Sequence, residues 1–181
     1  FYTHTPASPI LSGLVGSEMC IRDRYYGISG MGAITHTLNF RLHPEQAVYI
    51  INHAEDKIIF VELPFVPILE ALQENLKTVE KYVVLCEVDE MPETTLKNAI
   101  SYEEYIQDGD ENYSWPTLED DAACALCYTS GTTGNPKGVL YSHKSNVIHA
   151  QAALTAMTIK PDDTILMVVP LFHVLAWGIP Y

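Results

Sequence analysis

The residues best suited to chemistry in this 181-residue chain are crowded into one run, Tyr128 to Gly138, which reads Tyr-Thr-Ser-Gly-Thr-Thr-Gly-Asn-Pro-Lys-Gly. Three glycines let the backbone reach positive φ, so successive amide N–H groups can converge on one anion. Four hydroxyls within five residues, Thr129, Ser130, Thr132 and Thr133, add hydrogen bonds or hold a magnesium ion. Lys137 supplies a mobile positive charge. Together these residue types describe a phosphate cradle. It is not a Walker A loop, which needs Gly-x-x-x-x-Gly-Lys-Ser/Thr, because Pro136 precedes the lysine here and Gly138 follows it.

A second candidate lies downstream in Val168-Val-Pro-Leu-Phe-His-Val-Leu-Ala-Trp177. His173 and Trp177 stand four residues apart just past an expected strand end, which is where open α/β sheets bind ligands. A lone histidine or tryptophan also serves as core packing, so the two residues by themselves leave both readings open.

The two motifs, in this order, resemble the signatures of the adenylate-forming superfamily: the AMP-forming acyl-CoA synthetases with their luciferase and peptide-synthetase relatives. Two upstream segments, Gly32-Ala-Ile-Thr-His-Thr-Leu-Asn-Phe-Arg-Leu42 and Tyr49-Ile-Ile-Asn-His-Ala-Glu-Asp-Lys57, are most similar to the branch that acts on medium and long fatty acids. The resemblance covers about Tyr25 to Tyr181. It implies that Thr129 is a magnesium or phosphate ligand and that Ser130, Gly131, Thr132, Thr133 and Gly134 wrap the triphosphate of ATP. It implies further that Lys137 steadies the pyrophosphate end, that His173 lies near the acyl-adenylate and that Trp177 lines the entry to the acyl pocket. Tyr49, His53, Glu55, Asp56 and Lys57 match the same family text but suggest capping and stapling of a helix to its strand, with no catalytic role.

The implied reaction suits such a loop. A carboxylate is already ionised at neutral pH and needs no general base to attack the α-phosphate of ATP. Carboxylate and triphosphate repel each other, so the barrier falls when cations and amide donors neutralise the phosphate oxygens. Pyrophosphate leaves, and coenzyme A then takes the acyl group from acyl-AMP. The expected small molecules are therefore a fatty acid, ATP with Mg2+, and coenzyme A as co-substrate, with a homodimer expected for the full-length enzyme. An adenylation domain for an aryl or amino acid carries the same loop, and a non-catalytic phosphate-binding fragment is the alternative from a different class.

Family segments that hold adenine (Tyr-Gly-x-Thr-Glu) and ribose (Thr-Gly-Asp), and the C-terminal domain with its catalytic lysine, do not occur in these 181 residues. The expectation is a partial AMP-binding domain over 25–181, an N-terminal fragment inactive on its own. Residues 1–24 are set apart as a doubtful leader: Ser12 to Arg24 resembles a translated sequencing-adapter read-through, without clear helical or strand period and without the layout of a secretory signal. The expected setting is cytoplasmic, an organellar address staying open because the native start is taken to lie elsewhere.

Composition adds limits. Hydrophobic residues make up 48% of the chain and mean hydropathy is +0.05, which fits a globular piece. No 18-residue apolar run suggests a membrane span. The net charge of −13 is concentrated between Glu87 and Asp121, where twelve acids face the single Lys97. Such a surface disfavours nucleic acid and leaves the phosphate loop outside the acidic block. The pair Cys124 and Cys127 lacks a second pair for zinc and reads as small buried hydrophobes, as do the other cysteines outside the leader.

The positioning elements alternate. A helix begins at His43-Pro-Glu-Gln with Ala47, Ile50, Ile51 and Ala54 on one face, followed by a strand at Lys57 to Val61. Phe65, Ile68, Leu69, Leu72 and Leu76 mark a second helix, Tyr82 to Cys86 a strand, and Ala123 to Tyr128 the strand that feeds the loop. Ser142 is placed to cap a helix reaching Met157, ahead of a strand at Thr164 to Val169. His143 and His149 fall on different faces of that helix and do not share a metal. Gln107 to Pro116 is the most linker-like stretch. The pattern predicts an α/β fold with a mostly parallel, doubly wound sheet.

Overall fold

The computed structural model describes residues 11–13, 18–39, 41–129, 134–165, 170, 172–173 and 178. Seven strands and five α-helices lie among them: β1 (Leu11–Gly13), α1 (Glu18–Gly30), β2 (Thr35–His36), α2 (Pro44–Ala54), β3 (Ile58–Val61), α3 (Val66–Leu72), β4 (Lys81–Val84), β5 (Ala99–Ser101), α4 (Tyr102–Ile106), β6 (Ala123–Thr129), β7 (Lys137–Ser142) and α5 (His143–Met157). The larger sheet has the order β1-β3-β4-β5 and is parallel throughout. The smaller has the order β2-β6-β7, with β2 parallel to β6 and β7 antiparallel to it.

The apolar runs at 58–61 and 81–84 form strands with both faces covered, as a parallel sheet between helices requires. Side chains alternate across the sheet plane. Ile59, Val61, Tyr82 and Val84 point to one side and pack with Ile50 and Ile51 of α2 and Val66 and Leu69 of α3. Phe60 and Val83 point to the other side and pack with Ile28 of α1 and Ala33. Helices therefore lie on both faces, and the fold is the expected α/β arrangement.

Local signals account for the helix boundaries. Pro44 sits in the first turn of α2, where its missing N–H is not needed. The helix closes at Glu55, whose φ of 60° is left-handed, while the Asp56 amide donates to the Ile51 carbonyl at 3.1 Å. Ser142 caps α5 by accepting from the Ser145 amide at 3.2 Å. Ser101 does the same for α4 through the Glu104 amide.

Several details depart from the sequence reading. Residues 18–24, read as having no helical period, belong to α1; its described buried residues are Tyr25, Ile28, Ser29 and Arg24, whose guanidinium lies 5.9 Å from the centre of the Tyr102 ring. The acidic stretch contains β5 and α4, which charge alone conceals. Residues 137–142, read as the loop's tail and a cap, form β7, an edge strand whose Val139 and Leu140 stay exposed. Thr164 and Ile165 are in no regular element, and 166–169 lie outside the described residues.

Ile51 is fully buried between α2 and β3. Ile51→Ala is expected to cost about 2–5 kcal/mol through lost transfer energy and the cavity left behind. Ser142→Ala, which removes only a cap, is expected to cost about 1 kcal/mol. Urea unfolding midpoints of the two variants test that order.

Candidate functional site

The phosphate loop is the connection of a β-hairpin. Strands β6 and β7 pair from Ala123↔Ser142 up to Thr129↔Lys137, so the two ends of the loop are held side by side in register. The Thr129 hydroxyl donates to the Lys137 carbonyl at 3.4 Å, a long bond that leaves its oxygen available. Gly134 has a φ of 149°, and a Cβ there would meet nothing within 4 Å. Glycine is therefore needed at this position for its backbone conformation, with space to spare. Ser130, Gly131, Thr132 and Thr133 lie outside the described residues.

A cavity of about 240 Å3 opens at the carboxyl ends of β2 and β6, the position where parallel α/β sheets bind ligands. Thr129 and Gly134, at the two ends of the loop, line it together with His173. The His173 amide donates to the Pro170 carbonyl at 2.9 Å, which turns the chain back towards the cavity. Gly178, with φ of 66°, then passes so close to α5 that a Cβ would lie 2.6 Å from His149. Three of the residues picked out in the sequence, Thr129, Gly134 and His173, thus share one cavity, although 44 positions separate the first from the last. Lys137 stands opposite Thr129 on β7 and is exposed, at the rim rather than in the described lining. Trp177 lies outside the described residues. No aspartate or glutamate is among the described lining residues, so the acidic block stays away from the site.

The cavity wall also holds groups that the sequence did not mark. His36, on β2, is almost completely buried, and its Nδ1 lies 3.3 Å from each carboxylate oxygen of Asp56. Burial pushes the Asp56 carboxyl above its ordinary range, with His36 pulling it back. Tyr128 packs its ring 5.2 Å from that of His36, and its hydroxyl shares a 2.6 Å hydrogen bond with His53 Nδ1. Burial, then the nearby Asp56 charge, raises the Tyr128 hydroxyl, so it remains protonated. His53 in turn stacks on Tyr49 at 5.3 Å. Glu55 caps α2 and Lys57 pairs with Glu80 at 2.8 Å, so the stapling role expected for this stretch describes those two residues well. It misses Asp56. No sequence spacing links Asp56 to His36, because their contact depends on where α2 returns the chain.

Among the described residues no group of three His, Cys, Asp or Glu side chains is arranged to hold a metal ion. A magnesium ion does not need one. It commonly keeps several waters and takes one or two protein oxygens together with substrate phosphates, which the free oxygen of Thr129 suits. Cys124 and Cys127 are buried free thiols. No helix among the described residues is long and apolar enough to cross a membrane.

The fold places a cavity at a parallel strand end, beside the connection of a hairpin. Residues 24–181 match the family model described as AMP-binding enzyme, and the chain belongs to that family. It is 48% identical over 159 residues to a 3-methylmercaptopropionyl-CoA ligase of Ruegeria pomeroyi, a match covering 87% of this chain and 30% of that protein. It is 46% identical to a medium-chain-fatty-acid–CoA ligase of Ectopseudomonas oleovorans, covering 87% of this chain and 29% of that protein. Among solved structures, the anthranilate CoA ligase AuaEII in complex with anthranoyl-AMP aligns with a TM-score of 0.67 at 29% identity, covering 79% of this chain and 26% of that one. Acetoacetyl-CoA synthetase from Streptomyces lividans aligns with a TM-score of 0.81 at 13% identity, over 97% of this chain and 28% of that one, a likeness of fold alone. The chain spans about 30% of the length of the curated relatives it matches.

Burial pushes the Cys124 thiol up to about 11. Its thiolate fraction at pH 8 is then of order 10⁻³, since the thiolate is the reactive form. Half-buried Cys86 is less enclosed. Peptide mapping after brief iodoacetamide treatment at pH 8 is expected to find Cys86 alkylated well before Cys124. As pH rises towards 11 the difference should narrow.

Proposed function

We propose that this chain supplies the phosphate-loop portion of an ATP-dependent ligase that activates an aliphatic carboxylic acid as acyl-AMP and passes the acyl group to coenzyme A. The observation that carries the reading is the convergence of Thr129, Gly134 and His173 on one cavity at the ends of β2 and β6. Family membership supports ATP as the activating substrate. The names of the relatives support the acid: those at 46–48% identity are ligases of a medium-chain fatty acid and of 3-methylmercaptopropionate, whereas a trans-cinnamate ligase of Petunia hybrida stands at 27%.

In this reading the loop from Thr129 to Gly134 turns amide and hydroxyl donors on the β- and γ-phosphates, and Lys137 at the rim neutralises the pyrophosphate end. The carboxylate oxygen attacks the α-phosphorus. A new O–P bond forms as the bond to the bridging oxygen of pyrophosphate breaks, and the electron pair leaves with pyrophosphate. Held by Thr129 and the phosphates, Mg2+ would offset charge on the triphosphate. The thiol of coenzyme A then attacks the acyl carbon of the mixed anhydride, loses its proton and expels AMP. His173, which lines the same cavity as Thr129, contacts the acyl-phosphate side in this reading. Trp177 follows it at the entry to the acyl pocket.

The double variant Thr129→Ala with Lys137→Ala, made in the full-length protein, is expected to slow carboxylate-dependent ATP–pyrophosphate exchange by about 10² or more, as removal of preorganised charge stabilisation does elsewhere. Undiminished exchange would sink the assignment. Trp177→Ala is expected to alter the preference for acyl chain length without abolishing exchange, and kcat/KM across a series of straight-chain acids reads this directly.

A further inference from the structure

His36 and Asp56 have no part in the chemistry above, yet each is only 1% exposed. The imidazole meets the carboxylate through Nδ1. Its other nitrogen, Nε2, is buried with no hydrogen-bond partner. The same ring forms part of the wall of the cavity that Thr129 and His173 line. A buried ring nitrogen left unpaired beside a ligand cavity is a group whose partner arrives with the ligand.

Charge balance decides what that nitrogen offers. Among the described residues Asp56 has no ion-pair partner except His36, and the neighbouring Tyr128 is held in its neutral form with its hydroxyl engaged by His53. A net charge in so enclosed a site is strongly disfavoured. Two protonation states make the pair neutral. In the first, Asp56 is ionised and the imidazolium carries hydrogens on both nitrogens. In the second, Asp56 is protonated and donates to Nδ1, so the neutral ring carries its hydrogen on Nε2. A bare Nε2 needs either an uncompensated carboxylate or a protonated Asp56 that accepts from Nδ1–H and leaves its own hydrogen without an acceptor among the described residues. The two neutral states that pair every hydrogen between the side chains make Nε2 a donor.

The surroundings say which acceptor fits. Leu38, Ile50 and Phe172 give the cavity an apolar part, and Thr129 and Gly134 bring in the ends of the proposed phosphate loop. A group bridging the two regions is polar at one end and continues into an apolar chain. We propose that His36 Nε2–H donates a hydrogen bond to an oxygen of the carboxyl or acyl-phosphate group held in this cavity, with Asp56 as the positioning residue that fixes the ring and its proton. The identity of the acceptor rests on the adenylation reading, but the donor state of Nε2 does not.

Two measurements on the full-length protein test this. Two-bond 1H–15N correlation spectra of histidine-labelled protein should show His36 Nε2 protonated, and its resonance should move on addition of octanoyl-sulfamoyl-adenosine, a stable acyl-adenylate mimic, but not on addition of AMP alone. A bare Nε2, or an unmoved resonance with the mimic bound, overturns the proposal, since the partner would then be a bound water only. The second measurement compares His36→Gln, which keeps an amide donor, with the double variant His36→Phe and Asp56→Leu, which removes the pair without stranding a buried charge. The double variant should raise KM for octanoate about tenfold or more while Kd for ATP moves less than about twofold, with His36→Gln between it and the parent. A folded double variant with the parent's KM overturns the proposal, and if the double variant does not fold, the spectra decide. If the parent forms no acyl-adenylate at all, the adenylation reading fails, while the protonation of Nε2 is still read from the spectrum.

Discussion

The site depends on β6 being held from both sides at once. One edge pairs in parallel with β2 through Thr35↔Ala125 and His36↔Leu126, and the other pairs with β7 along its whole length. Cys124, Ala125, Leu126 and Cys127 are all buried, so both faces of the strand are packed and its register is set by those neighbours together with the two ladders. Thr129 is consequently held opposite Lys137, and the two ends of the seven-residue connection between them are positioned by the sheet.

The His36–Asp56 pair adds a second constraint, between sheets. His36 belongs to β2 in the smaller sheet, and Asp56 joins α2 to β3 in the larger one. Buried ion pairs seldom increase stability over an apolar replacement, because each charge must be desolvated. What they do is specify geometry, since a misplaced partner would leave a charge uncompensated. Here the pair fixes the larger sheet relative to the cavity wall, and the Tyr128–His53 hydrogen bond ties the same two regions a few ångströms away.

Legibility in the sequence followed the range of the interactions. The helix at Pro44–Ala54, the strands at 58–61 and 81–84 and the Ser142 cap are written in local periodicity and single cap residues, and the structure shows each of them. The loop could be read because its chemistry is packed into adjacent residues. Strand β7 could not, since Lys-Gly-Val-Leu-Tyr-Ser has no clean alternation and exists as a strand only because β6 offers an edge. The first turns of α1 were hidden because Glu-Met-Cys-Ile-Arg-Asp-Arg carries no clear apolar period of its own. His36 was hidden for the strongest reason: a histidine in Thr-His-Thr acquires meaning only when Asp56, twenty residues later, is folded against it.

The acidic block acquires a different sense once it is located. Twelve carboxylates between Glu87 and Asp121 would, placed beside a triphosphate, oppose every step that brings anions together. They instead lie between β4 and β5, in α4 and in the irregular stretch up to β6, and they contribute nothing to the described wall of the cavity. Exposed charges more than a Debye length apart, roughly 8–10 Å near physiological salt, hardly influence each other. In the proposed reading, the groups that meet an anion at Thr129 are the loop's amides and hydroxyls, the Lys137 ammonium and, through a neutral buried pair, the Nε2–H of His36.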